Sequence, residues 1–98
     1  KSDYRLFKLR LGDILYIEGM SDYSKIYTEK ERIISIHNLK KMESKLPARH
    51  FIRIHKSFII PFDRVDIIGK NEVQIGDKTI PIGAHYKDDF FNYVEELQ

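Results

Sequence analysis

FIRIHKSFII, residues 51–60, opens as a half-buried strand and then departs from one. Ile52 and Ile54 fall on one face and Arg53 and His55 on the other, the two-residue alternation of a strand with one wet side. Lys56 then stands where the next apolar residue belongs, and Phe58, Ile59 and Ile60 follow as an unbroken apolar run. A lysine flanked by strand-forming residues either lays its stem along the surface or is carried outward by a turn. Residues 55–57 are therefore read as a turn between two strands, with apolar anchors on both sides of a cationic tip. Two uses fit this turn. Lys56 is presented to an anionic ligand, or it is simply solvated while His55 and Ser57 satisfy backbone groups at a chain reversal.

Upstream of this stretch the pattern is mostly β. YRLFKLR (4–10) and DILYIE (13–18) are short β-branched or aromatic runs, and YSKIYT (23–28) alternates, with Glu29-Lys30-Glu31 as the tip of a hairpin into RIISIH (32–37). At Asn38, a good N-cap, the period changes: Leu39, Met42 and Leu46 recur at helical spacing, with Lys40, Lys41, Glu43 and Lys45 opposite, until Pro47 stops the helix. Downstream, VDIIG, EVQI and KTIPI read as strands separated by Gly69-Lys70-Asn71 and by Gly76-Asp77, a pair suited to a tight hairpin. Tyr86, Phe90, Tyr93, Val94 and Leu97 restore helical spacing, with Asp88 and Asp89 early, so a C-terminal helix is expected from about Ala84. The predicted architecture is mainly β, in short antiparallel strands, with one short central helix and one C-terminal helix.

The 98 residues amount to a single domain with enough apolar side chains for one modest core. There is no cysteine, hence neither disulfide framework nor thiolate chemistry, which is compatible with a reducing cytosol. No apolar run approaches the length of a membrane-spanning helix, so no membrane partner is expected and a cytoplasmic location is. A chain that starts Lys1-Ser2-Asp3 without Met reads as a piece of a longer one with a further domain upstream. The net charge of +2 is unevenly spread: residues 37–56 hold six Lys/Arg against a single acid, whereas residues 84–98 hold one against four. Such asymmetry marks either an anionic partner or a solvated helix face with spare lysines.

Catalytic readings find little to work with. Ser57 lies two residues from His55, close enough for a hydrogen bond, but neither a glycine elbow nor an oxyanion hole accompanies the pair. The five glycines are scattered at turns instead of gathered in a phosphate-cradling loop, and His37, His50, His55 and His85 follow no metal-ligand spacing. Neither enzymatic activity nor a cofactor is expected. A DNA reader, by contrast, needs cations for phosphates and a few polar tips held at base-edge depth.

In order, DILYIEG, YSKIYT, a hairpin, HNLKKMESKLP, FIRIHKSFII and a strand pair ending in IPIGAHYKDDF resemble the LytTR family of bacterial DNA-binding domains, from about Tyr4 to about Val94. The resemblance implies an elongated arrangement of three small antiparallel sheets that binds duplex DNA through loops. The family's base and phosphate contacts come from the segment after the YIE strand, an H-R-S turn and an S-R-R-Y-like stretch near the end. Those regions correspond here to Asp22, Tyr23, Ser24 and Lys25; to His55, Lys56 and Ser57; and to Gly83, Ala84, His85 and Tyr86. Arg53, which is also suited to a structural ion pair, and Lys40, Lys41 and Arg49 are candidate phosphate neutralisers. The chain departs from the family pattern in having Lys56 where arginine is usual and Gly83-Ala84-His85 where Ser-Arg is usual. A lysine is a point charge without arginine's planar fork, so looser base discrimination follows.

The function implied is that of a sequence-specific DNA-binding domain of a bacterial transcriptional regulator, the output domain of a two-component response regulator. Its partners would be promoter repeats, a linked N-terminal receiver or other input domain, and a second copy on DNA. A protein-interaction module on the same fold is the alternative.

Overall fold

A computed structural model describes residues 8–97, over which the alternation of the sequence becomes eight strands and two helices. In chain order they are β1 (Ile14–Gly19), β2 (Ser24–Thr28), β3 (Arg32–Ser35), α1 (Leu39–Lys45), β4 (Phe51–His55), β5 (Phe58–Pro61), β6 (Ile67–Ile68), β7 (Glu72–Ile75), β8 (Lys78–Pro81) and α2 (Lys87–Glu96). Single 3-10 turns precede β1, follow β5 and lead into α2 over Ala84–Tyr86. Of the strand expected over residues 4–10, Tyr4–Phe7 lie outside the described residues, and Lys8–Arg10 form no strand.

The strands make two antiparallel sheets among the described residues, ordered β3-β2-β1-β5-β4 and β6-β7-β8, where three sheets were expected. The β4–β5 hairpin pairs directly with β1, Ile17 opposite Ile59, so two hairpins share one continuous five-stranded sheet. The molecule is nevertheless elongated, 51 × 24 × 21 Å.

Strand β5 explains why the sequence abandons alternation after Ser57. Ile59 packs with Ile17, Leu39 and Met42 under α1, whereas Phe58 and Ile60 pack with Val73, Ile80 and Phe90 of the second sheet and α2. A strand covered on both faces needs apolar residues at consecutive positions, and all four residues of β5 are buried.

Local signals place the connecting elements. The Asn38 side chain accepts from the Lys41 amide at 2.9 Å and caps α1, whose Leu39 and Met42 are buried. Gly76 takes φ +61° at the β7–β8 turn, a conformation that glycine adopts without penalty. Phe90 fixes α2 against the second sheet at zero exposure and leaves Asp88 and Asp89 in solvent. No helix among the described residues is long and apolar enough to cross a membrane.

Candidate nucleic-acid interface

The turn at residues 55–57 is built by a bulge. Arg53 pairs with Ile59 and His55 with Phe58, so β4 spends one residue more than β5, and the fully buried Ile54 is the extra one. Simple alternation places His55 on Arg53's face; the bulge instead turns it to the side of Phe58, with the two ring centroids 5.6 Å apart. Two residues, Lys56 and Ser57, then close the hairpin, and Lys56 is exposed at its tip.

Every carbonyl of the turn has a donor. Arg53 Nε donates to His55 O at 2.8 Å and Arg53 Nη2 to Lys56 O at 2.6 Å, while the Gly19 amide donates to Ser57 O at 2.8 Å. The Ser57 amide in turn donates to His55 Nδ1 at 3.0 Å. The His55–Ser57 contact expected between side chains thus runs through the backbone amide, and the accepting ring nitrogen leaves the neutral imidazole's proton on Nε2.

Two further segments are tied to this turn. Gly19 ends β1, and after it Met20–Tyr23 form a tight loop in which the Met20 amide donates to Tyr23 O at 2.8 Å and Ser21 takes φ +78°. Asp22 and Tyr23 are exposed there, whereas Ser24 is fully buried and its hydroxyl donates to His37 O at 2.8 Å. Burial takes the Ser24 hydroxyl away from any ligand and gives it a structural task, holding the loop to the start of α1. Lys25 is half-buried on β2, opposite Glu18 and Ile34. Beside it the Tyr27 hydroxyl donates to Glu18 at 3.0 Å; burial first, and then this carboxylate, hold the Tyr27 phenol above its ordinary pKa.

On the other side, the Gly83 amide donates to Ile54 O at 2.7 Å. A Cβ at Gly83 would lie 3.2 Å from the Tyr86 ring and 3.4 Å from His55 Cα, so the residue must be small for the two segments to touch. His85 is exposed, and the Tyr86 ring lies 5.7 Å from the Arg53 guanidinium.

The three regions singled out in the sequence therefore meet at one end of the five-stranded sheet: 20–25, 55–57 and 83–86. Lys40 and Lys41, exposed on the first turn of α1, stand beside them, because Leu39 packs against Gly19. Arg49 does not join this group. It lies in the turn before β4, with the length of that five-residue strand, roughly 13–17 Å, between this turn and Lys56. Arg53 is only 16% exposed, and besides its two carbonyls it pairs with Glu43 of α1 at 3.0 Å. Glu43 and Gly19 are participants that sequence reasoning missed. Glu43 had a signal, being the lone acid in the basic segment 37–56.

The cluster thus presents an exposed cationic tip on a braced turn. The LytTr DNA-binding domain model matches residues 4–95. The chain belongs to the LytTR family. This is a family of DNA-binding domains and not of enzymes. Over 63 residues, the domain is 32% identical to the transcriptional regulatory protein YpdB of Escherichia coli strain K12 and to that of Shigella flexneri. Those matches take in 64% of this chain but only 26% of each relative, so the matched segment spans about a quarter of their length. Its fold also matches a Bacillus cereus domain described as the LytTr DNA-binding domain of a methyl-accepting/DNA response regulator. There the TM-score is 0.84 at 19% identity, over 96% of this chain and 92% of that one.

Proposed function

We propose that this LytTR domain reads promoter DNA in the cytoplasm as the output element of a two-component response regulator, joined to an N-terminal receiver that supplies the signal. The observation that carries the reading is the convergence of three loops around Lys56, the exposed tip of a turn whose carbonyls all have donors. A tip held in this way enters a groove without first having to be ordered, which preserves affinity. Lys56 and His85 lie nearest the bases, with Asp22, Tyr23 and Lys25 on the adjoining loop and strand. Lys40 and Lys41 neutralise phosphates beside them, and Arg49 reaches the backbone only if the duplex bends along the sheet. Two copies on repeated half-sites are the expected arrangement on DNA.

Fluorescence-anisotropy titration of random and selected duplexes tests this reading. Neutralisation of four phosphates, by Lys40, Lys41, Lys56 beside its base contact and Arg49 on a bent duplex, gives log K against log salt a slope of roughly −3 to −4. Tight binding that ignores ionic strength rejects the reading. Failure to bind any duplex at low salt favours a protein-interaction module on the same fold, a reading suggested by Lys56 and Gly83-Ala84 standing where the family usually has arginine and Ser-Arg.

A further inference from the structure

We propose that Arg53 is the positioning residue of the DNA-reading end, locking the Lys56 turn to α1 through Glu43 and to the 83–86 segment through Tyr86, and that it makes no phosphate contact. This rests on the proposed DNA-binding role and assigns one of its parts. The guanidinium has five N–H groups in a rigid plane. Three directions are occupied: His55 O at 2.8 Å, Lys56 O at 2.6 Å and the Glu43 carboxylate at 3.0 Å. One face lies 5.7 Å from the Tyr86 ring. A side chain committed to two carbonyls, a carboxylate and an aromatic ring, and only 16% exposed, has little surface left for a phosphate.

The arrangement also has an electrostatic use. The His55 and Lys56 carbonyls lie at the end that meets DNA, where their partial negative charge would oppose the phosphates. A guanidinium bound to both masks that charge and fixes the Lys56 main chain relative to a helix and a second loop. Lysine cannot span the same three acceptors at once. Glu43, outside the three loops, completes the lock by holding the guanidinium's far edge.

Positioning and phosphate binding predict opposite results for two substitutions. Loss of a phosphate contact shrinks the salt slope by about 0.9, whereas loss of a positioning residue leaves the slope unchanged and lowers affinity. Glu43→Gln removes a negative charge near DNA, which by simple electrostatics tightens binding; it also exchanges the ion pair for a weaker neutral hydrogen bond, and a lock loosened in this way weakens binding. We expect Arg53→Gln to weaken binding to a selected duplex about ten-fold or more, the effect of losing a charge-assisted hydrogen bond, at constant salt slope. Glu43→Gln should weaken binding several-fold, and the double variant should be no worse than Arg53→Gln alone. Backbone 15N relaxation on the free protein supplies a readout that needs no DNA. Lys56 and Ser57 should be as rigid as β4 in wild type and more mobile in Glu43→Gln, a change on an exposed helix position that preserves the fold even if Arg53→Gln does not. A reduced slope for Arg53→Gln, or a Glu43→Gln variant with unchanged relaxation and equal or tighter binding, overturns the proposal. Failure of wild type to bind any duplex rejects the DNA-binding reading instead, and relaxation then decides the lock by itself.

Discussion

The Ser57 amide donates to Nδ1 of His55 at 3.0 Å, so the ring of the first turn residue caps the backbone of the third. The bond has the reach of an Asx turn, in which a side-chain oxygen accepts from the amide two residues on. His55→Asn can keep the bond through its side-chain oxygen but loses the packing against Phe58, and His55→Ala loses both. A net hydrogen bond contributes about 0.5–1.5 kcal/mol, so His55→Asn should be more stable than His55→Ala by roughly that amount and unfold at a correspondingly higher urea concentration. Equal midpoints would show that the bond contributes nothing.

The resemblance to the family places Lys56 at a position where arginine is expected. Lys56→Ala should weaken duplex binding and reduce the magnitude of the salt slope by about 0.9, as loss of one phosphate-neutralising charge requires. Lys56→Arg should restore a planar fork and sharpen discrimination at one base pair by about 1–3 kcal/mol if that fork meets a guanine. Affinities for a single-substitution duplex series, measured at two salt concentrations, check both. An unchanged slope in Lys56→Ala places the tip away from phosphates.

Gly19 provides an internal comparison for backbone crowding. A Cβ there would lie 3.0 Å from Leu39 Cβ and 3.1 Å from Leu39 Cδ2, whereas a Cβ on Gly12 meets nothing within 4 Å. Gly19→Ala must push α1 off the sheet or distort the end of β1, at a cost of about 1–3 kcal/mol. Gly12→Ala should instead be neutral or stabilising by up to about 1 kcal/mol, because it restricts only the unfolded chain. Chemical denaturation of the two variants side by side checks the contrast.

What could be read from the sequence follows the range of the interactions involved. The Lys56 turn, the Asn38 cap and the Gly76 hairpin are local devices, and each is found where residue chemistry places it. Ser24 was missed as a buried residue because its partner, His37 O, lies thirteen positions away and across a hairpin. The side of the sheet taken by His55 was misread because a bulge at Ile54 costs one residue and leaves no compositional mark. Arg53 was legible as either a phosphate contact or an ion-pair partner, but its two turn carbonyls depend on how the hairpin closes. The joining of two hairpins into one sheet rests on the pairing of Ile17 with Ile59, a contact between residues far apart in the chain.

Tyr27 links the edge of the interface to alkaline stability. Burial, and then the Glu18 carboxylate that accepts its hydroxyl, favour the protonated phenol and raise its pKa above 10.0. Tyr16, stacked on it with centroids 4.4 Å apart, is raised chiefly by burial, as is Tyr93. A group that binds its proton more tightly when folded contributes stability that is fully present below its unfolded value and is lost as pH rises through the folded one. Stability should therefore hold up to about pH 10 and decline above it, as the phenols lose protons more readily in the unfolded chain. Tyr27→Phe removes one such group, so its urea midpoint should fall less steeply over that alkaline range than that of wild type. Ultraviolet titration should show tyrosinate appearing at higher pH in the folded protein than in denaturant. Parallel alkaline slopes for Tyr27→Phe and wild type would mean that the Glu18–Tyr27 contact is not linked to folding.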